Sequence, residues 1–401
     1  MDSVIVSGKA FDGRSFREDV EVRVERGEIE RVGRSNGEKS LSGDYVILPG
    51  LIDAHVHFFG VKEDRLLEWN LVPETLATAR SVGDAIRLLS AGFTTVRDLG
   101  SKCALGLAEA IEEGRLLGPR IVASGYSIAE TGGNDDPRDL PLEMGQSISY
   151  SFYCDSPWEC RKAVRKCVRQ GADVIKVYAS GAFSSGGKIK PAFTLEELRA
   201  IVDEAHRADL KVAMHAYGEE AIGNALDAGA DTIEHGLGLS ESLAKEMARK
   251  GICYVPTLAT YEVGLEVRKM NEEVRKARSE LIRKHMEEDV KIARDNGVTI
   301  IAGTDYVGSS SRRHGENYRE IVLLAKFLGL EGALRAASFD AALCLGLRGG
   351  SLEVGKWGDL ALFKKVEDPS DLRPDNLEYI VIRGRAINGP QLRELARWVQ
   401  Y

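Results

Sequence analysis

The sequence predicts an α/β protein in which a (β/α)8 barrel is joined to a small β-sandwich built from both chain ends. Three observations predict it. The chain has 401 residues, room for one large domain and a smaller one. Between residues 50 and 349, short apolar β-branched runs alternate with amphipathic helical stretches, the texture of parallel βα units. The flanking stretches, 1–49 and 350–387, read as strands, and 388–401 as a closing helix.

At the N-terminus, Asp2 to Val6 and Val20 to Val24 run apolar or alternate. The Arg26-Gly27-Glu28 turn joins the second run to a third strand, Ile29 to Val32. At the other end, Gly358 to Phe363 and Tyr379 to Arg383 return to β texture, and a helix from Pro390 to Gln400 follows Gly389. In the centre the candidate strands are Val46–Phe58, Thr94–Leu99, Arg120–Ile128, Asp173–Ser180, Lys211–Gly218, Asp231–Gly236, Ile252–Ala259 and Thr299–Asp305. Helical segments follow nearly all of them. One, Thr194–Ala208, opens on a Thr194/Glu197 capping box. Eight βα units in about 300 residues match a closed TIM-like barrel.

Composition narrows the function classes. Lys plus Arg total 54 against 62 Asp plus Glu, a net charge of -8. Without a basic surplus to replace counterions, nucleic acid is not the expected partner. No apolar run is long enough for a membrane span, and residues 1–10 lack an export leader, so a cytoplasmic location is expected. Six cysteines, Cys103, Cys154, Cys160, Cys167, Cys253 and Cys344, occur without a C-x-x-C pair, which reads as reduced thiols. Only 9 Asn and 4 Gln occur, a composition that points to a heat-adapted source.

Four of the seven histidines end candidate strands. His55 and His57 close the first, in Gly50-Leu-Ile-Asp-Ala-His-Val-His57; two residues apart on a strand, they face the same side. His215 closes the fifth, His235 the sixth, and Asp305 the eighth. In a (β/α)8 barrel these ends converge on the face that carries catalysis. Any one of these side chains alone reads as a core or rim residue. Together they form an N/O cluster suited to zinc or a similar divalent cation. Lys176 lies within the fourth strand, Val174-Ile-Lys-Val-Tyr178, among apolar neighbours. An ammonium there must be paired or neutralised. Either it meets Asp98 or Glu234, or its neutral amine captures carbon dioxide as an anionic carbamate. His206 and His285 lie in charged helical stretches and read as solvated, as does the Arg/Lys/Glu-rich run 268–289.

These motifs resemble the amidohydrolase superfamily, in its two-metal branch of prolidase-like dipeptidases and carboxypeptidases. The resemblance rests on Leu48 to His57, Gly92-Phe-Thr-Thr-Val-Arg-Asp98, Gly171 to Lys176 and Met214-His-Ala-Tyr217. Ile233-Glu-His-Gly236, Gly303-Thr-Asp305 and Gly350 to Asp359 complete it. It implies two divalent ions, zinc by preference: one on His55, His57 and Asp305, the other on His215 and His235. Carboxylated Lys176 and a hydroxide would bridge them. It implies Asp305 as general base, passing the water proton to the leaving amine, and Tyr217 as a substrate contact. In the loop after the third strand, relatives usually carry Gly-Gly-His-Gly-Asp, whereas this chain reads Thr131-Gly-Gly-Asn-Asp-Asp136. Asn134 cannot act as a cation there, so Gly186 to Lys190 and Arg312-Arg-His314 are the alternative sources of positive charge. His314 is itself a candidate substrate contact.

The implied function is metal-dependent hydrolysis of an amide bond in a small substrate, a dipeptide or N-acyl amino acid, by a homo-oligomeric enzyme. A one-metal deaminase or cyclic-amide hydrolase, imidazolonepropionase-like, is the alternative. Its relatives generally place a Glu three residues after the fifth-strand His, where this chain has Gly218. A non-catalytic scaffold is the third reading, and the full ligand set weighs against it.

Overall fold

A computed structural model describes residues 3–37, 39–133, 135–181, 189–263 and 272–399. Both chain ends enter one seven-stranded sheet. Its strands are β1 (Ser3–Phe11), β2 (Phe16–Glu25), β3 (Glu28–Arg34) and β4 (Val46–Pro49) from the N-terminal stretch. The central region then contributes β5 (Leu51–Val56), β6 (Phe93–Asp98), β7 (Arg120–Ala123), β8 (Ser127–Ala129), β9 (Ser151–Tyr153), β10 (Val174–Tyr178), β11 (Lys211–Ala216), β12 (Thr232–His235) and β13 (Cys253–Val255). The C-terminal stretch supplies β14 (Leu360–Phe363), β15 (Leu377–Ile382) and β16 (Arg385–Asn388). The terminal sheet runs β16-β15-β14-β4-β1-β2-β3, so β4 stitches the two ends together, parallel to β1 and antiparallel to β14.

Alternation gives this sheet two apolar faces. Val4, Val6, Val22, Val24, Ile47, Leu360, Leu362 and Val381 make a core of their own. Phe11, Leu48, Ala361, Phe363 and Ile380 point the other way, into the main core. Two hairpin turns meet at its edge: Arg26-Gly27 (φ 50° and 84°) and Arg383-Gly384 (φ 49° and 75°). Both are two-residue turns with positive φ at each position, the geometry that matches strand twist. A Cβ on Gly384 would stand 2.8 Å from the Gly27 nitrogen, so only glycine permits that approach. The last helix spans Gly389–Trp398, with Asn388 accepting from the Gln391 amide and Pro390 in its first turn.

The central strands form two parallel sheets, β13-β12-β11-β10-β8-β9 and β5-β6-β7, with helices between them. The capping box at Thr194 and Glu197 starts the helix Leu195–His206. Four expectations change here: the first candidate strand, Val46–Phe58, divides at Gly50 into β4 of the terminal sheet and β5 of a central one. The third candidate strand is two strands, because Gly125 turns at φ 61°. β7 then pairs with β6, and β8 with β10 and β9. Residues 258–259, read as strand, instead open the helix Leu258–Glu262 after Thr257 at φ 53°. The segment 299–306 makes isolated bridges rather than a ladder. It still bonds on both sides, Tyr254 N to Thr299 O at 2.9 Å and Ala54 N to Ala302 O at 2.8 Å.

The reduced-thiol expectation is corrected. Cys154 pairs with Cys160, and Cys253 with Cys344 across a sequence separation of 91; Cys103 and Cys167 are free and buried. The long pair lies in an apolar cluster that brings β13 and the helix Phe339–Leu345 together with Ile52, Ala54 and Ile301, which no local spacing announces. Among the described residues no helix is long and apolar enough to cross a membrane.

Candidate active site

Because β10, β11 and β12 run parallel, their C-terminal ends deliver side chains to one place. His215 is the fifth residue of β11 and His235 the last of β12, and their rings lie 4.7 Å apart. His55 comes from β5, 5.1 Å from the His235 ring and 5.3 Å from that of His57. Asp305 follows from the segment after 299, its amide bonded to the His55 carbonyl at 2.7 Å. His55, His57 and Asp305 offer ligand atoms all within 4.8 Å of one another. Lys176, from the middle of β10, places Nζ 3.4 Å from His55 Nε2. The structure thus brings these six predicted residues into one cluster.

Each anchored imidazole is held by its outer nitrogen. His57 Nδ1 donates to the Gly100 carbonyl at 2.9 Å, and His55 Nδ1 meets the Glu234 carboxylate at 2.8 Å. His235 Nδ1 bonds Thr257 Oγ1 at 2.7 Å. Fixing Nδ1 in this way leaves Nε2 as the inward ligand atom. Glu234 is held in turn by Arg97 at 2.7 Å. It is therefore not the partner of Lys176, which has no carboxylate within ion-pair distance among the described residues.

The electrostatics suit a cation. In a neutral ring whose Nδ1–H is given away, Nε2 carries a lone pair. Yet His57 Nε2 and His55 Nε2 face Asp305 Oδ1 at 3.1 Å and 3.4 Å. Lone pairs facing a carboxylate oxygen repel unless a positive centre joins them. His215 Nε2 is buried without a hydrogen-bond partner among the described residues, a costly state for a polar atom. Burial, then the Lys176 charge, pushes His55 well below the ordinary range and His215 down to about 3. Burial and the His215 ring do the same to His235. Burial alone would raise the Asp305 carboxyl, but the Arg312 guanidinium beside it helps hold it well below the usual range. Neutral imidazoles beside an ionised carboxylate are the protonation states that ligation requires. Burial also lowers Lys176 to about 8, against the opposing pull of Glu234 and Asp305. These residues fit divalent metal.

The other candidates fall around this cluster. The ring of Tyr217 lies 4.3 Å from that of His215, and its hydroxyl is 2.7 Å from that of Tyr261. His314 is buried, with Nε2 3.1 Å from the His57 carbonyl oxygen. Asn134 and residues 182–188 lie outside the described residues; Lys190 is exposed. His206 is a surface side chain paired with Asp231. His285 is not. It is buried, bonded to Asp289 and to the Pro256 carbonyl, because residues 285–289 form a π-turn that rotates it off the polar face. Arg278, on the run read as solvated, is buried too.

Sequence reasoning missed Arg97, Thr257 and Tyr261. Arg97 carried the same signal as Lys176, a charge inside an apolar strand. Thr257 was hidden in an over-extended strand, and Tyr261 lay just past its end.

Residues 46–387 match the family model described as the amidohydrolase family. The chain belongs to the amidohydrolase family. Among its amidohydrolase relatives, the ochratoxinase of Aspergillus niger is 35% identical over 244 residues, 55% of this chain and 49% of that protein. The match thus spans about half of that relative's length. The crystal structure of A. niger ochratoxinase superposes with a TM-score of 0.89 at 26% identity, over 97% of this chain and 96% of the other. A prolidase complexed with N-methylphosphonate-L-proline gives 0.85 at 30% identity, over 96% and 99%. A Xaa-Pro dipeptidase with bound methionine gives 0.80 at 29%, over 96% and 100%.

Proposed function

We propose that this amidohydrolase cleaves the amide bond of a small substrate, as a prolidase-like dipeptidase or N-acyl amino-acid hydrolase. The observation that carries the reading is the inward convergence of His55, His57, His215, His235 and Asp305 around Lys176, with the His215 Nε2 atom unsatisfied. The prolidase and Xaa-Pro dipeptidase likenesses support the substrate class.

In this reading β5 to β13 and segment 299–306 close into a (β/α)8 barrel over 50–349. Residues 1–49 and 350–387 share one sandwich, and 388–401 form its helix. His55, His57 and Asp305 would hold one divalent ion, His215 and His235 a second, with Lys176 between them as a carbamate. The ions, zinc by donor set, would supply the positive charge that polarises the scissile carbonyl. Asp305 accepts a proton from the attacking water as its oxygen bonds the carbonyl carbon. It returns that proton to the nitrogen as the C–N bond breaks. Tyr217 orients the substrate carboxylate or the carbonyl oxygen, Asn134 serves as a substrate-binding residue, and His314 acts through the His57 backbone. A cytoplasmic homo-oligomer completes the reading.

Metal analysis with a dipeptide and N-acyl amino-acid library tests it. About two divalent ions per chain with amide turnover is the expected result. One ion with deaminase activity, or none with no turnover, would overturn it.

A further inference from the structure

Arg312 brings a buried positive charge against the candidate base. Its Nη1 reaches Asp305 Oδ2 at 3.1 Å, the Asp305 carbonyl at 3.0 Å and Thr260 Oγ1 at 2.9 Å. Nε and Nη2 donate to the two carboxylate oxygens of Asp64, each at 2.5 Å. The guanidinium face lies 5.5 Å from the Trp69 ring centre. Trp69 stacks on Phe59 at 5.0 Å, and Phe59 on His57 at 4.9 Å. One side chain thereby ties together the loops that follow β5, β13 and segment 299–306.

Asp305 has φ 57°, a left-handed backbone that costs some energy even for Asp, which enters it more readily than most residues with a Cβ, so contacts that hold it turned matter. We propose that Arg312 is a positioning residue of the hydrolytic centre. By gripping both the carbonyl and Oδ2 of Asp305, it holds that backbone turned and points Oδ1 at His55 and His57. Asp64 balances the guanidinium, so the charge needed for the grip does not cancel that of Asp305. A planar fork suits this task, since several acceptors are engaged in fixed directions; an ammonium is a point charge without that geometry. The inference rests on the reading of Asp305 as a metal ligand.

Charge and position predict opposite signs, which makes the test sharp. As a mere nearby cation, Arg312 opposes a divalent ion, so removing it would tighten metal binding. As a positioning residue its loss weakens binding, by about 10–100-fold for a group behind a ligand. Zinc affinity of the metal-stripped wild type, Arg312→Lys and Arg312→Ala is measured by competition with a chromophoric chelator. Weaker binding in both variants is expected. Millimolar guanidinium should restore affinity in Arg312→Ala by refilling the vacated space, but not in Arg312→Lys. The Lys variant keeps the charge and carries the test if Arg312→Ala fails to fold. Wild-type zinc affinity in Arg312→Lys overturns this inference alone. A wild type that binds no zinc overturns the hydrolase reading and this inference with it.

Discussion

Asp305 carries the most chemistry of any single side chain, and Lys176 the most unusual state. The Asp305→Asn variant should fold and lose about 10²–10⁴ in kcat, the usual worth of a positioned acid–base group. Steady-state kinetics at saturating metal check it, and near-normal turnover would remove Asp305 from the base role. For Lys176 the sign of the pH effect follows from a value lowered to about 8. Below it the ammonium dominates and cannot take up carbon dioxide; the neutral fraction rises from ~1% at pH 6 to about half at pH 8. At a fixed concentration of dissolved carbon dioxide, reloading of metal-stripped enzyme with zinc should therefore be faster at pH 8 than at pH 6. Lys176→Ala should lose metal and activity together and regain part of both with acetate or propionate. Lys176 and the histidine pair of β5 were legible for physical reasons. The two-residue spacing of His55 and His57 reports a strand face, and a lysine among Val174, Ile175 and Val177 reports an enforced burial.

The strand ends set the site, and two of them end in left-handed residues: His235 at φ 66° closes β12, and Thr257 at φ 53° lies two residues past β13. A β-branched residue in that conformation is rare. Here it turns the chain so that Thr257 Oγ1 reaches His235. Thr257→Val keeps the shape and removes the acceptor, so about tenfold weaker metal binding is expected, measured by chelator competition; unchanged affinity would mean that His235 is oriented otherwise. Apolar periodicity does not see such a break. It extended the strand through Ala259 and so hid Thr257 as a turning residue. The same blindness applies at His285, where a helix of period 3.6 predicts a solvated face and the π-turn supplies an inward one.

The whole chain carries constraints that no short window contains. Cys253 and Cys344 lie 91 residues apart, and a shared apolar cluster that includes Ile52 and Ala54 of β5 brings them together. A thiol titration of the denatured, unreduced protein should give two groups, Cys103 and Cys167, and six after reduction; six before reduction would refute both pairings. On a chain-entropy basis, the long link stabilises the fold by up to about 4–5 kcal/mol, read as a fall in Tm on reduction. The seam between β4 and β14 has a further effect, on biosynthesis. Leu48 pairs with Ala361, so β4 leaves the ribosome long before its partner β14 exists. At about 5–20 residues per second, the intervening stretch takes roughly 15–60 s to translate. Throughout that interval the valine face of the opening meander has no native cover, and a chaperone or a transient non-native contact must shield it. Stalled nascent chains ending before residue 360 should therefore be protease-sensitive at their N-termini while the central strands are already protected.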